Sequence, residues 1–197
     1  MVEELGLSVV KEMLEGDAEA FRQVLDFHIG PVTNYVQRMT SSSADTEDIV
    51  QETFLRLWST KDRYDPKRAK LTTWIHKIAH NLCIDYFRAS KFESTENSES
   101  ARFDESTASG PGNDYEEISR SQMMSRSLSL LPERQRSAIV MCHYQGLSNR
   151  EAAEVFDVSV DALESLLSRG RSQLKKILKD QLNDTTKAKP LLRGGVK

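Results

Sequence analysis

The stretch "ASKFESTENSESARFDESTASGPGND", which begins at Ala89, divides this chain in two. It is rich in Ser, Glu, Thr, Gly and Asn and poor in aliphatics, too little apolar surface to offset the entropy of ordering. Residues 92–113 therefore read as a flexible acidic linker between residues 1–91 and residues 114–180, with residues 181–197 as a tail. Each half is expected to bury its own small core. The 22 linker residues would reach roughly 70 Å when extended, at about 3.3 Å each.

Both halves read as helix. Neither contains sustained apolar–polar alternation or an Asn-Gly or Asp-Gly hairpin turn. In "DAEAFRQVLDFHIGPVTNYVQRM", Phe21, Val24 and Leu25 recur at helical spacing, as do Val32, Tyr35, Val36 and Met39 beyond a Gly-Pro interruption. Ser43 precedes the acidic turn of "ADTEDIVQETFLRLW", where carboxylates suit the positive end of a helix. There Val50, Phe54, Leu57 and Trp58 form an inner stripe and leave Asp48, Gln51, Glu52 and Leu55 outside. Asp114 with Glu117 predicts a capped helix through Leu130, and Pro132 starts another that Gly146 ends. The expected class is all-α: a helical bundle and a second small helical domain on a tether.

Hydrophobic residues are 38% of the chain and charged ones 29%, and no apolar run reaches 18 residues, so no membrane insertion is expected. "MVEELGLSVVKEMLEGDAEAF" has acids where a secretory signal has bases, so a cytoplasmic protein is expected. Cys83 and Cys142 lack CxxC spacing and read as reduced, buried thiols. The net charge of −3 hides an alternation: −7 over residues 1–60, +5 over 61–91, −5 over 92–127 and +4 over 128–197. Two basic blocks suit contact with a polyanion at two separated places.

The second basic block holds "LSNREAAEVFDVSVDALESLLSRGRSQLKKIL". Ser148 and Glu151 make an S-x-x-E capping box, Ala153 is small where two helices cross, and Asp157 stands at a turn that needs left-handed backbone. Ser159 caps a second helix with the inner stripe Val160, Leu163, Leu167, Gly170, Leu174 and Ile177. This is the pattern of a helix-turn-helix, whose second helix enters the major groove. Its outward residues are Asp161, Glu164, Ser165 and Ser168, then Arg169, Arg171, Ser172 and Lys175. Hydroxyl and guanidinium groups read base edges or hold phosphates. The plain alternative is a helical hairpin with a basic face.

In the first basic block, "TTWIHKIAHNLCIDYFR" places His76, His80 and Cys83 at helical spacing. A metal site would want a further ligand, and Lys77 stands where H-E-x-x-H has its carboxylate. A polar binding face fits better: Thr73, Lys77, His80, Asn81 and Arg88 lie opposite the apolar stripe Ile75, Ile78, Ala79, Leu82 and Tyr86. The preceding loop adds Lys61, Arg63, Lys67, Arg68 and Lys70 with Tyr64 and Trp74. Cations interleaved with rings suit unpaired DNA, although Trp74 is equally at home in a core.

These motifs, in this order, resemble the sigma factors of bacterial RNA polymerase, specifically the extracytoplasmic-function (ECF) group. "DTEDIVQETFLRLW" is similar to region 2.2, "LTTWIHKIAHNLCIDYFR" to regions 2.3–2.4, and "LPERQRSAIVMCHYQGLSNREAAEVFDVSVDALESLLSRGRSQLK" to region 4. The resemblance implies a transcription initiation factor with no catalysis and no cofactor of its own. The implied partners are promoter DNA, an anti-sigma factor and core RNA polymerase, the last through the clamp helices of its largest subunit and the flap of its second-largest subunit. Asp48, Gln51, Glu52 and Leu55 would grip the clamp. Arg63, Tyr64, Lys67, Arg68, Lys70, Thr73, Trp74, Lys77, His80, Asn81 and Arg88 would recognise and melt the −10 element. Asp161, Glu164, Ser165, Ser168, Arg169, Arg171, Ser172 and Lys175 would read the −35 element.

One departure stands out. Members often carry "GTVKSRL" where residues 161–167 read "DALESLL", so Glu164 replaces a cation and Leu166 an Arg. Two other classes remain to be separated by experiment: a mimic that only sequesters an anti-sigma factor, and a repressor that binds duplex alone.

Overall fold

The computed structural model describes residues 6–40, 42–96 and 115–187, with side chains described except at 93–96, 115–119 and 184–187. The helices are α1 (Leu7–Glu15), α2 (Ala18–Thr40), α3 (Ser43–Thr60), α4 (Leu71–Glu96), α5 (Tyr115–Ser129), α6 (Glu133–Ile139), α7 (Asn149–Phe156) and α8 (Val160–Lys187). A 3₁₀ turn, Lys61–Arg63, follows α3, and a π-helical turn, Val140–Tyr144, extends α6. No strand occurs among the described residues.

The Gly-Pro step does not interrupt α2, which runs on with Pro31 inside it. Burial decides this. Val24 and His28 before the step, and Val32, Tyr35, Val36 and Met39 after it, all lie on one buried face. That continuity outweighs the ~3 kcal/mol that an internal proline costs. The cap of α3 is Ser42, whose hydroxyl accepts from the Asp45 N–H at 3.5 Å, one residue earlier than the sequence reading placed the boundary. Ile49, Val50, Thr53, Phe54 and Leu57 turn inward from α3. Five residues assigned to the linker, 92–96, instead extend α4; the rest of it and the Asp114 cap lie outside the described residues.

The two helical halves pack against each other. α4 packs against α7, and α2 against α5 and α6, so one buried cluster runs through both. A polar triangle sits in this seam: Tyr35 Oη lies 2.8 Å from Ser137 Oγ and 3.2 Å from His80 Nδ1, and Ser137 Oγ lies 3.0 Å from His80 Nδ1. Beside it Arg136 donates across the seam to the Met39 carbonyl, and within its own half to the carbonyls of Ser129 (2.9 Å) and Leu131 (3.3 Å). Met39 lies in the last turn of α2, where carbonyls lack helical partners and a cation is favoured. Ion pairs Lys70–Glu151 (3.4 Å) and Lys91–Glu133 (2.8 Å) flank the seam. Two helical domains form as the sequence led one to expect, and the linker's composition carries no information on how they sit against each other. Buried polar residues inside the apolar stripes set that instead.

Candidate nucleic-acid interface

Region by region, the helix-turn-helix forms as its sequence dictates. Ser148 Oγ accepts from the Glu151 N–H at 3.2 Å and Glu151 Oε2 accepts from the Ser148 N–H at 2.8 Å, which closes the capping box and opens α7. Asp157 ends it in left-handed backbone, φ 54° and ψ 48°. Ser159 Oγ then accepts from the Ala162 N–H at 3.2 Å and starts α8. Leu163 and Leu167 are buried, and Gly170 lets α6 approach so closely that an added Cβ would stand 2.9 Å from Ile139 Cδ1. Val160 departs from the expected inner stripe: at the first turn of α8 it is 39% exposed.

All eight predicted recognition residues, Asp161, Glu164, Ser165, Ser168, Arg169, Arg171, Ser172 and Lys175, are exposed on α8. Glu164 Oε1 accepts from Asn149 Nδ2 at 3.1 Å, which ties the reading helix to the start of α7. An anchored carboxylate suits a cytosine amino group better than a phosphate.

The first basic block is only partly open. Arg63, Lys67, Arg68 and Lys70 are exposed on the loop, Asn81 and Arg88 are exposed on α4, and Lys77 is half-buried. Three expected members of that face are buried. Tyr64 stacks on Trp74 with ring centres 5.1 Å apart and donates to the Ala69 carbonyl at 3.1 Å, so it fastens the loop to α4. Trp74 is half-buried by that stack. Thr73 lies in the cleft between α2, α4 and the turn before α7. His80 belongs to the seam, its ring 4.4 Å from that of Phe156. Burial, with the charge of Arg134, lowers the His80 pKa to about 4 and keeps the ring neutral.

The metal-like spacing has other employment. His76 Nδ1–H donates to the Thr72 carbonyl at 2.8 Å, His80 Nδ1 is taken by the triangle, and burial pushes the Cys83 thiol up to about 12. Among the described residues no cluster of His, Cys, Asp and Glu could hold a metal ion.

On the opposite side, α2 and α3 enclose an apolar groove of about 640 Å³. Gln51 and Leu55 line it and are exposed, Asp48 is exposed on α3, and Glu52 pairs with Arg56 at 2.7 Å. The α2 wall, Phe21, Leu25 and Ile29, went unassigned in the sequence reading. Its i, i+4, i+8 spacing was visible, but Phe21 and Leu25 passed for core and Ile29 stood beside the Gly-Pro step.

Residues 26–93 match the sigma-70 region 2 family and residues 121–174 match the sigma-70 region 4 family. The ECF sigma factor SigW of Bacillus subtilis is 29% identical over 179 residues, which cover 87% of this chain and 95% of SigW. This chain belongs to the sigma-70 family, in its ECF group. It is thereby one of the factors that direct transcription initiation from promoters. SigM of the same organism is 25% identical, covering 82% of this chain and 97% of SigM. The fold of this sigma factor is shared with RpoE of Bartonella quintana, solved in complex with the anti-sigma factor NepR, at a TM-score of 0.71 and 22% identity over 82% of this chain and 98% of that one. No helix among the described residues is long and apolar enough to cross a membrane.

Proposed function

We propose that this sigma factor, acting in the cytoplasm, seats α3 and the α2–α3 groove on the clamp helices of core polymerase, lays α8 along the −35 element, and uses the loop 61–70 with α4 to melt the −10 element. The flap of the second-largest subunit takes the region 4 half, and an anti-sigma factor holds the chain in reserve. The observation that carries this is the uninterrupted exposed face of α8 behind a capped, left-handed turn, paired with a basic loop in the other half. The chemistry of RNA synthesis stays with the polymerase; this chain contributes binding and positioning.

The seam adds a condition. Thr73 and His80 lie beneath the region 4 half, so the −10 face becomes complete only when that half moves off α4.

Run-off transcription with core polymerase, followed by start-site mapping, tests the reading. Lys77→Glu with Arg88→Glu abolishes promoter opening, seen as loss of permanganate-reactive thymines, and leaves core binding intact. Gln51→Ala with Leu55→Arg weakens core binding. Initiation no better than core alone would identify a mimic, and equal effects of both pairs would overturn the division of surfaces.

A further inference from the structure

A second cavity, of about 480 Å³, lies where the two halves meet. That volume falls within the range of small-molecule sites. Region 2 contributes Phe27, Pro31, Arg38, Thr73 and His76, and the region 4 half contributes Tyr144, Gln145 and Glu151. Neither half encloses it alone.

Its wall holds two polar atoms with no hydrogen-bond partner, Thr73 Oγ1 and His76 Nε2, on side chains only 3% and 1% exposed. Such a group costs about 1–3 kcal/mol when left unmet. His76 has already given its Nδ1–H to the Thr72 carbonyl, so Nε2 is the acceptor of a ring whose neutral form burial favours, and the Gln145 side chain stands near it without closing a hydrogen bond. The wall therefore asks for N–H or O–H donors.

The charge asks for an anion. Arg38 and Lys70 stand at the cavity with Glu151, two cations against one carboxylate. Lys70 and Glu151 are paired at 3.4 Å. Arg38 lies 4.5 Å over the Tyr144 ring and spends one N–H on the Asn34 carbonyl, which leaves further guanidinium donors for a ligand. Phe27, Pro31 and Tyr144 supply an apolar wall.

We propose that this cleft binds a small organic anion with a flat apolar body and a hydroxyl or amino donor, the class of aromatic hydroxycarboxylates, and that the ligand holds the two halves closed. That this closure lowers initiation rests on the function proposed above, in which the −10 face is complete only when the halves part. A ligand whose site needs both halves binds only the closed form and draws the population towards it by a factor of 1 + [L]/Kd.

The test uses the full-length chain with 4-hydroxybenzoate as probe, benzoate lacking the donor, and phenol lacking the anion. A probe of about ten heavy atoms has a Kd on the order of 1 mM. At ten times its Kd, 4-hydroxybenzoate raises Tm by about 3–6 °C. It also increases energy transfer between dyes placed in the two halves. Benzoate and phenol bind at least fivefold more weakly. Arg38→Gln weakens 4-hydroxybenzoate fivefold or more while run-off transcription without ligand is unchanged. No saturable rise in Tm, or binding indifferent to Arg38→Gln, overturns the site. With holoenzyme assembled in the probe's presence, run-off product falls at least threefold. Binding and closure with undiminished transcription would overturn the coupling to initiation, separately from the site.

Discussion

The polar triangle in the seam is redundant, and the redundancy has a measurable signature. Tyr35 and Ser137 each stand within hydrogen-bond distance of His80 Nδ1, at 3.2 Å and 3.0 Å, and both are fully buried. Tyr35→Phe leaves Ser137 to satisfy the imidazole, and Ser137→Ala leaves Tyr35 to do so. Each single change removes one net hydrogen bond, about 1 kcal/mol. The double change strands His80 Nδ1 in an apolar interior, which adds a further 1–3 kcal/mol, approximately. Urea melts of the four proteins in a double-mutant cycle should therefore show an interaction energy of about 1–3 kcal/mol, with the double variant worse than the sum. Energy transfer between dyes in the two halves should fall most in the double variant. Additivity within about 0.5 kcal/mol would refute the reasoning, because it would mean that neither hydroxyl covers for the other.

Acid should destabilise the fold in a defined window. Burial lowers His28, beside His76, and His80, near Arg134, from 6.5 to about 4. The unfolded chain then binds protons first, so this contribution is complete above pH 6.5 and is lost as pH falls towards 4, by up to about 3 kcal/mol per ring. Urea midpoints against pH check this, and His28→Phe should flatten the slope by about one proton. Gly170→Val should destabilise region 4 by about 1–3 kcal/mol, read by thermal melting, since even a Cβ would stand 2.9 Å from Ile139 Cδ1 and 3.3 Å from Gln135 Cβ. Arg171→Ala should weaken −35 binding by holoenzyme and reduce the log–log salt slope by about 0.9, one phosphate's worth.

Local signals carried much of the fold. Ser148, Glu151, Asp157 and Ser159 each act through neighbours three or four positions away, so their roles were readable in the string. The exposed face of α8 followed from its periodicity. The failures share a cause. His80 and Thr73 look polar and outward on a helical wheel of α4 alone, yet Phe156 of α7 lies against His80 and Thr73 is buried in the cleft before α7, and a wheel holds no information about so distant a part of the chain. Tyr64 reads as a free ring among cations until Trp74 is found against it. Arg136 and Ser137 interrupt an apolar stripe, a mismatch that marks a buried polar contact, but the partners Met39, Tyr35 and His80 lie in the other half.

α8 is held at three places: the turn at Asp157, the crossing with α6 at Gly170, and the Gln181 side chain, which accepts from Ser127 Oγ on α5 at 2.9 Å. Its 28 residues span about 42 Å. So braced, it behaves as a strut, and its approach angle to a duplex is set by the brace rather than by the side chains at its tip. Exchanging those side chains should therefore retarget the helix to another sequence while its tilt stays where α5 and α6 put it.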